Sequence, residues 1–204
     1  KDSTELADIL IELETECSEI DKEKLIKAVG LVKERAETVK ELWGLSKYLF
    51  HGPAKMKAEN RKKADEAEKA GGDWLENLTC INKDGKLTSG SDDEFEAYYS
   101  NMITRKVTGR GFEETFKRVF SVCSKLKGKR ADGFIDLVTS PKLVSSYRGV
   151  EKEVPAGKMM MLIRVVLVGS LSGIGLQKIV NFIGIEEVEK RFRLFVKTET
   201  GFDP

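Results

Sequence analysis

The sequence predicts an all-helical protein, and three observations predict it. Apolar residues recur at spacings of three and four through most of the 204 residues. Residues that cap helices, such as Asp2, Asp21 and Asp92, stand before those stripes, and Gly or Pro stands after several of them. One segment, Met159 to Val168, favours a strand by its β-branched content. No other clear strand pattern is available to pair with it, and an isolated strand is unstable, so it too is read as a buried helix.

Taken in order, Ser3 or Asp2 caps a first helix that carries Leu6, Ile9, Leu10, Leu13 and Cys17 on one stripe. Asp21 caps a second, burying Leu25, Ile26, Val29 and Val32. Val39, Leu42, Trp43, Ser46 and Phe50 continue the period up to His51-Gly52-Pro53, a stop signal. This divides the chain into a first helical lobe at 1–53 and a second at 54–204. Residues 54–70 are rich in Lys, Glu and Ala and read as an exposed helix, ended by Gly71-Gly72. Residues 73–92 hold Asn82-Lys83-Asp84-Gly85 and Ser89-Gly90-Ser91 and read as a loop. Asp92 or Asp93 caps a helix with Phe95, Tyr98, Tyr99 and Met102. Phe112, Phe116, Val119, Phe120, Cys123 and Leu126 form the strongest stripe of the second half. Residues 131–150 are ambiguous: Phe134 to Val138 look helical, but Ser140-Pro141 breaks the run. Two helices close the chain, one from about Leu176 to Phe182 and one from about Glu186 with Val188, Phe192 and Phe195 inside.

Composition excludes much chemistry. His51 is the single histidine, so a two-histidine mechanism or a His-rich zinc site is excluded. The three cysteines, Cys17, Cys80 and Cys123, are far apart and odd in number, which argues against a disulfide framework. No phosphate-binding G-x-x-x-x-G-K-[ST] and no G-x-G-x-x-G is present. Paired acids such as Asp92-Asp93 and Glu186-Glu187 fall at helix starts, where the helix dipole favours them. His51 falls at a helix end, where capping a carbonyl is its expected role. No catalytic residue and no metal ligand set is expected. Acids within Lys1 to Leu13 argue against a signal peptide, and Lys1 in place of Met suggests a processed or excised chain. No apolar run reaches the roughly 20 residues that span a bilayer, so no membrane partner is expected.

The net charge of +1 hides an asymmetry: residues 1–100 sum to −7 and residues 101–204 to +8. Between 101 and 130, Arg105, Lys106, Arg110, Lys117, Arg118, Lys125, Lys127, Lys129 and Arg130 face only Glu113 and Glu114. Such a stretch is either a solvated helix surface or a contact for a polyanion.

Two segments carry a family resemblance. The first is Leu31-Val32-Lys33-Glu34-Arg35-Ala36-Glu37-Thr38-Val39-Lys40-Glu41-Leu42, followed by Tyr48-Leu49-Phe50 and Pro53. The second is Leu162-Ile163-Arg164-Val165-Val166-Leu167-Val168-Gly169-Ser170, then Ser172-Gly173-Ile174-Gly175-Leu176, and Ile183 to Arg191. Together they resemble the carboxy-terminal, anticodon-binding region of bacterial-type glutamyl-tRNA synthetase, whose segments read roughly L-V-x-x-R-x-x-T-x-x-E-L and P-L-R-x-A-L-T-G-x-x-x-G-P-x-L, then L-G-x-E-x-x-x-x-R. The family's Pro before Leu-Arg is Leu162 here, and its Gly-Pro is Gly173-Ile174 or Ile174-Gly175 according to register. Residues of about 55–155 resemble the family poorly, and the two signature motifs that bind ATP are missing.

The resemblance implies an all-α superhelical architecture of two packed helical lobes, with 159–168 helical. It implies a fragment without its catalytic domain, so that ATP and Mg belong only to the missing part and this chain carries no cofactor. It implies a tRNA partner with a glutamate-type anticodon loop, a monomer, and a cytoplasmic or organellar-matrix location. Among the site residues, Arg35 matches the arginine that reads the last anticodon base, a cytosine in glutamate tRNAs and a guanine in glutamine tRNAs. A guanidinium stacks on a base and donates in a fixed fork, which suits the acceptors on the pairing edge of cytosine. Arg164 matches the arginine at the first anticodon base, and Leu171, Ser172, Gly173 and Ile174 occupy the turn that supports it. Arg164 also stands out on its own, as one charge inside ten otherwise apolar residues that must reach an edge or a partner. The Lys/Arg-rich stretch would touch phosphates, adding affinity more than specificity. A helical protein-interaction module and a free-standing RNA-binding protein remain the alternatives.

Overall fold

The computed structural model describes residues 1–52, 111–147, 150–169 and 174–197, and the backbone of 80–81 and 87–88. The chain divides into two compact units, Lys1–His51 and Gly52–Pro204. The expected helices at 54–70 and beyond Asp92 lie outside the described residues.

The first unit contains α1 (Ser3–Leu13), α2 (Lys22–Val32) and α3 (Val39–Phe50), which pack on one another. Asp2 caps α1, its Oδ1 accepting from the N–H groups of Thr4 and Glu5 at 2.8 Å each. Asp21 caps α2 through the N–H of Lys24 at 2.9 Å. Each cap satisfies donors that the first helical turn leaves without partners. Ala7, Leu10, Leu25, Ala28, Val29, Leu42 and Leu49 form the core. The first stripe does not run on to Cys17 as one helix. The backbone leaves α1 at Glu14 (φ −119°, ψ 108°), so Leu13 is 66% exposed and Cys17 is buried from a separate 3-10 turn, Thr15–Glu19.

The connection from α2 to α3 also departs from a continuous period. A 3-10 turn, Lys33–Arg35, follows α2. A new helix then starts at a capping box: Thr38 Oγ1 accepts from Glu41 N–H at 3.1 Å, and Glu41 Oε2 accepts from Thr38 N–H at 3.3 Å. His51 occupies the C-cap of α3, its backbone N–H donating to Lys47 O at 2.8 Å.

In the second unit, β1 (Cys80–Ile81) and β2 (Leu87–Thr88) form a two-residue antiparallel ladder inside the stretch read as a loop. Five helices follow among the described residues: α4 (Phe112–Leu126), α5 (Phe134–Thr139), α6 (Ala156–Val168), α7 (Leu176–Ile183) and α8 (Ile185–Phe195). The core gathers around Phe116, whose ring lies 4.9 Å from Phe192 and 5.8 Å from Phe195. Helix α8 packs on α4, α6 and α7.

The expected all-helical class holds, with two short strand pairs added, β1–β2 and a second that begins in the ambiguous 131–150 region. There β3 (Leu143–Tyr147) and β4 (Val150–Val154) pair antiparallel, with Leu143 opposite Val154. The strand alternates: Leu143 and Ser145 are buried, Val144 and Ser146 exposed. Two serines in the pattern hide it from a search for apolar alternation. Val154 seats against Gly111, where an added Cβ would lie 2.5 Å from Val154 Cγ2, and Gly111 has φ +85°. Met159 to Val168 is helical, as expected. Met159, Leu162, Ile163, Val165, Val166, Leu167 and Val168 are all buried, so enclosure overrides the β preference of the branched side chains.

Candidate functional site

Among the residues singled out by sequence, the two ends of the segment that joins α6 to α7 are described. Helix α6 stops at Gly169, which takes a left-handed conformation (φ 64°, ψ 15°) and donates to Val165 O at 2.9 Å. On the far side of the turn, Ile174 and Gly175 lead into α7. Arg164 Nη1 donates to the carbonyl oxygen of Ile174 at 2.5 Å. Arg164 is half-buried, so the lone charge in the apolar run reaches an edge and a partner together. The partner in this bond is a backbone carbonyl.

A second guanidinium holds the near side. Arg191 on α8 donates from Nη1 to Leu167 O at 2.7 Å and from Nε to Glu187 Oε1 at 2.9 Å. Its side chain is only 3% exposed. Burial pulls its pKa below the ordinary arginine value, and the Glu187 carboxylate opposes that shift. The stem of Arg191 lies against Gly52, where an added Cβ would meet Cγ at 3.0 Å and Cδ at 3.1 Å. The turn between α6 and α7 is therefore bracketed by two arginines, one on the last turn of α6 and one on its exit carbonyl. The role of Arg191 was not legible as a site in the sequence. The available signal was its position, three residues after Val188 and four before Phe195, on a stripe whose other members are buried.

Arg164 and Ile174 are thus brought together. Leu171, Ser172 and Gly173 lie outside the described residues. Arg35 belongs to the first unit. It is exposed and sits in the 3-10 turn Lys33–Arg35, not inside an α-helix, so spacings of four along a helix do not govern its neighbours. It makes no hydrogen bond or ion pair among the described residues. Glu41, by contrast, is engaged by the N–H groups of Glu37 and Thr38, so its charge is committed to the start of α3.

Among the described residues, no group of three or more His, Cys, Asp or Glu side chains is placed to hold a metal ion. None of the described helices is long and apolar enough to cross a membrane. Cys17 and Cys123 are buried free thiols, each pushed up to about 12 by desolvation, which makes them poor nucleophiles.

Comparison with known proteins bears on this arrangement. The profile of a family described as anticodon binding domain matches residues 5–106 and 147–196. The glutamate--tRNA ligase of Christiangramia forsetii is 28% identical to the chain over 186 residues. That alignment covers 91% of this chain and 27% of the ligase, so the chain spans about a quarter of that relative's length. No solved structure gives a significant match.

Proposed function

This chain belongs to the anticodon binding domain family, and on that premise we propose that it is the anticodon-reading part of a glutamate–tRNA ligase. It holds the anticodon loop of glutamate tRNA, while the aminoacylation chemistry takes place in another part of a longer protein. The observation that carries the reading is the family match, which takes in Arg35, Arg164 and the turn that Arg164 braces. The similarity to a glutamate--tRNA ligase supports the choice of amino acid.

The bases of an RNA loop are read once they are unstacked, on their faces and pairing edges. An exposed guanidinium at Arg35 suits such a base: it stacks, and it donates to the acceptors of a cytosine at the last anticodon position. Arg164 and the 169–174 turn take the first anticodon base. Leu167 O and Ile174 O, the carbonyls on either side of residues 170–173, are each held by an arginine.

The test is a filter-binding titration of the full chain with glutamate tRNA and with its variant carrying G in place of the C at the third anticodon position. A bidentate contact worth about 1–3 kcal/mol predicts roughly 5-fold to 150-fold weaker binding of the variant. Arg35→Ala should erase most of that difference. Equal affinity for the two RNAs refutes the anticodon assignment.

A further inference from the structure

Residues 107–146 fall between the two stretches matched by the family profile. They contain α4, α5 and the loop joining them, and that loop concentrates positive charge. Lys125, Lys127, Lys129 and Arg130 are all exposed, and Lys178 at the start of α7 is exposed as well. None of these five forms an ion pair with a carboxylate among the described residues. Elsewhere on the surface such pairs do form: Lys22 with Asp8, Lys47 with Glu16, Lys117 with Glu113 and Lys142 with Glu153.

The loop has a defined shape. Lys129 N–H donates to Leu126 O at 2.8 Å. Lys127 sits at φ −55° and ψ 127°, and Gly128 at φ +71°. These are the marks of a type II turn, which requires positive φ at its third residue. The turn's free donor, Gly128 N–H, bonds Glu186 Oε1 on α8 at 3.3 Å. Three residues on, the carbonyl of Ala131 accepts from Gln177 Nε2 on α7 at 2.7 Å, while Gln177 Oε1 accepts from Ile135 N–H at 3.1 Å. Asn181 Nδ2 donates to Asp132 Oδ1 at 3.1 Å. Glu186 and Asp132 thus hold the loop through hydrogen bonds from neutral donors, and the cations outnumber them.

A cluster of exposed cations on a pinned backbone, none of them in an ion pair among the described residues, is suited to meet a polyanion. We propose that Lys125, Lys127, Lys129, Arg130 and Lys178 form a second RNA contact that grips backbone phosphates, not bases. The choice of RNA as occupant rests on the anticodon reading above. Lys127 and Lys129 flank Gly128 in one turn, and both are exposed. Contacts of this kind add affinity and salt dependence but carry no base specificity.

The test compares the full chain with the triple variant Lys127→Gln/Lys129→Gln/Arg130→Gln and with a charge-keeping variant Lys127→Arg/Lys129→Arg/Arg130→Lys. Both are checked for native far-UV circular dichroism. Binding of glutamate tRNA and of its C→G anticodon variant is titrated from about 50 to 200 mM salt, a range over which phosphate contacts weaken strongly. The neutral variant should bind both RNAs about 10-fold more weakly or worse, with the slope of log K against log salt shallower by about 2–3. The ratio between the two RNAs should stay unchanged, and the charge-keeping variant should recover the wild-type affinity and slope. An unchanged slope overturns the proposal, as does a loss confined to the glutamate anticodon. If the wild type binds both RNAs equally but the neutral variant lowers the slope, the anticodon reading fails and the phosphate contact stands. Binding to phosphatidylserine vesicles that is lost in the neutral variant, with RNA affinity unaltered, assigns the patch to a lipid surface and also overturns it.

Discussion

Replacing Arg191 by Met separates the electrostatic role of this side chain from its bulk. Methionine keeps much of the apolar stem that lies against Gly52, but it removes the donor to Leu167 O and the partner of Glu187. The two effects differ in kind. A charged hydrogen bond contributes about 1.5–3 kcal/mol, and a buried carbonyl left without a donor costs about 1–3 kcal/mol more. Glu187 is 32% exposed and keeps Lys190 Nζ at 3.9 Å from Oε2, so its carboxylate adds less than a fully buried, unpaired charge would. A loss of about 3 kcal/mol follows. Glu187→Gln alone leaves the Leu167 bond intact and should cost about 1 kcal/mol. The double variant should cost less than the two singles together, because Arg191→Met has already removed the interaction that Glu187→Gln weakens. Urea unfolding followed by far-UV circular dichroism measures all three. The reasoning fails if Arg191→Met costs under about 1 kcal/mol, or if the two substitutions add.

Arg164→Ala removes the bond to Ile174 O. It should leave the helical spectrum in place, lower stability by about 1–2 kcal/mol, and weaken binding of glutamate tRNA by filter titration. Unfolding of the chain would instead make Arg164 a core residue. Gly111→Ala combines a left-handed φ with a Cβ 2.5 Å from Val154 Cγ2 and should lower the urea midpoint by more than any surface substitution. Thr38→Ala opens the capping box of α3 and should cost about 1 kcal/mol in the same assay, with binding to the C→G variant unaffected. Cys17 and Cys123 remain thiols up to about pH 12 in the folded chain, whereas an unfolded thiol ionises near pH 9. The unfolded state therefore binds fewer protons between those limits. Stability is full below about pH 9 and should fall as pH rises toward 12, as a pH series of urea midpoints would show. Flat midpoints across that range would contradict the burial of the thiols.

Most of the helices were legible in the sequence because their apolar residues repeat at three and four, and Asp2 and Asp21 cap where a first-turn donor needs an oxygen. The segment 159–168 was legible only with help, since its residues alone suit a strand and its helical state comes with the burial of most of its side chains. The break between α2 and α3 was hidden because the apolar period runs across it. The signal lay in Thr38-Val39-Lys40-Glu41, a capping-box spacing inside what reads as one stripe. That break moves Arg35 from a helix to a turn. The β3–β4 ribbon was hidden for another reason: five-residue strands carrying two serines give too little alternation to read. As for the site, Arg164 declared itself as a charge among apolar residues, but its partner is a main-chain oxygen ten residues on, which has no signature in sequence. Arg191 fills the final R of the L-G-x-E-x-x-x-x-R pattern, but its partner, Leu167 O, has no signature in sequence either.

The bond from Arg191 to Leu167 has a consequence for trimming the chain. The last turn of α6 is anchored at Leu167 O by a side chain 24 positions downstream, on the last helix described. Cutting after Lys190 would delete that anchor together with Phe192 and Phe195, so the end of α6 would lose its hold even though none of its own residues had been touched.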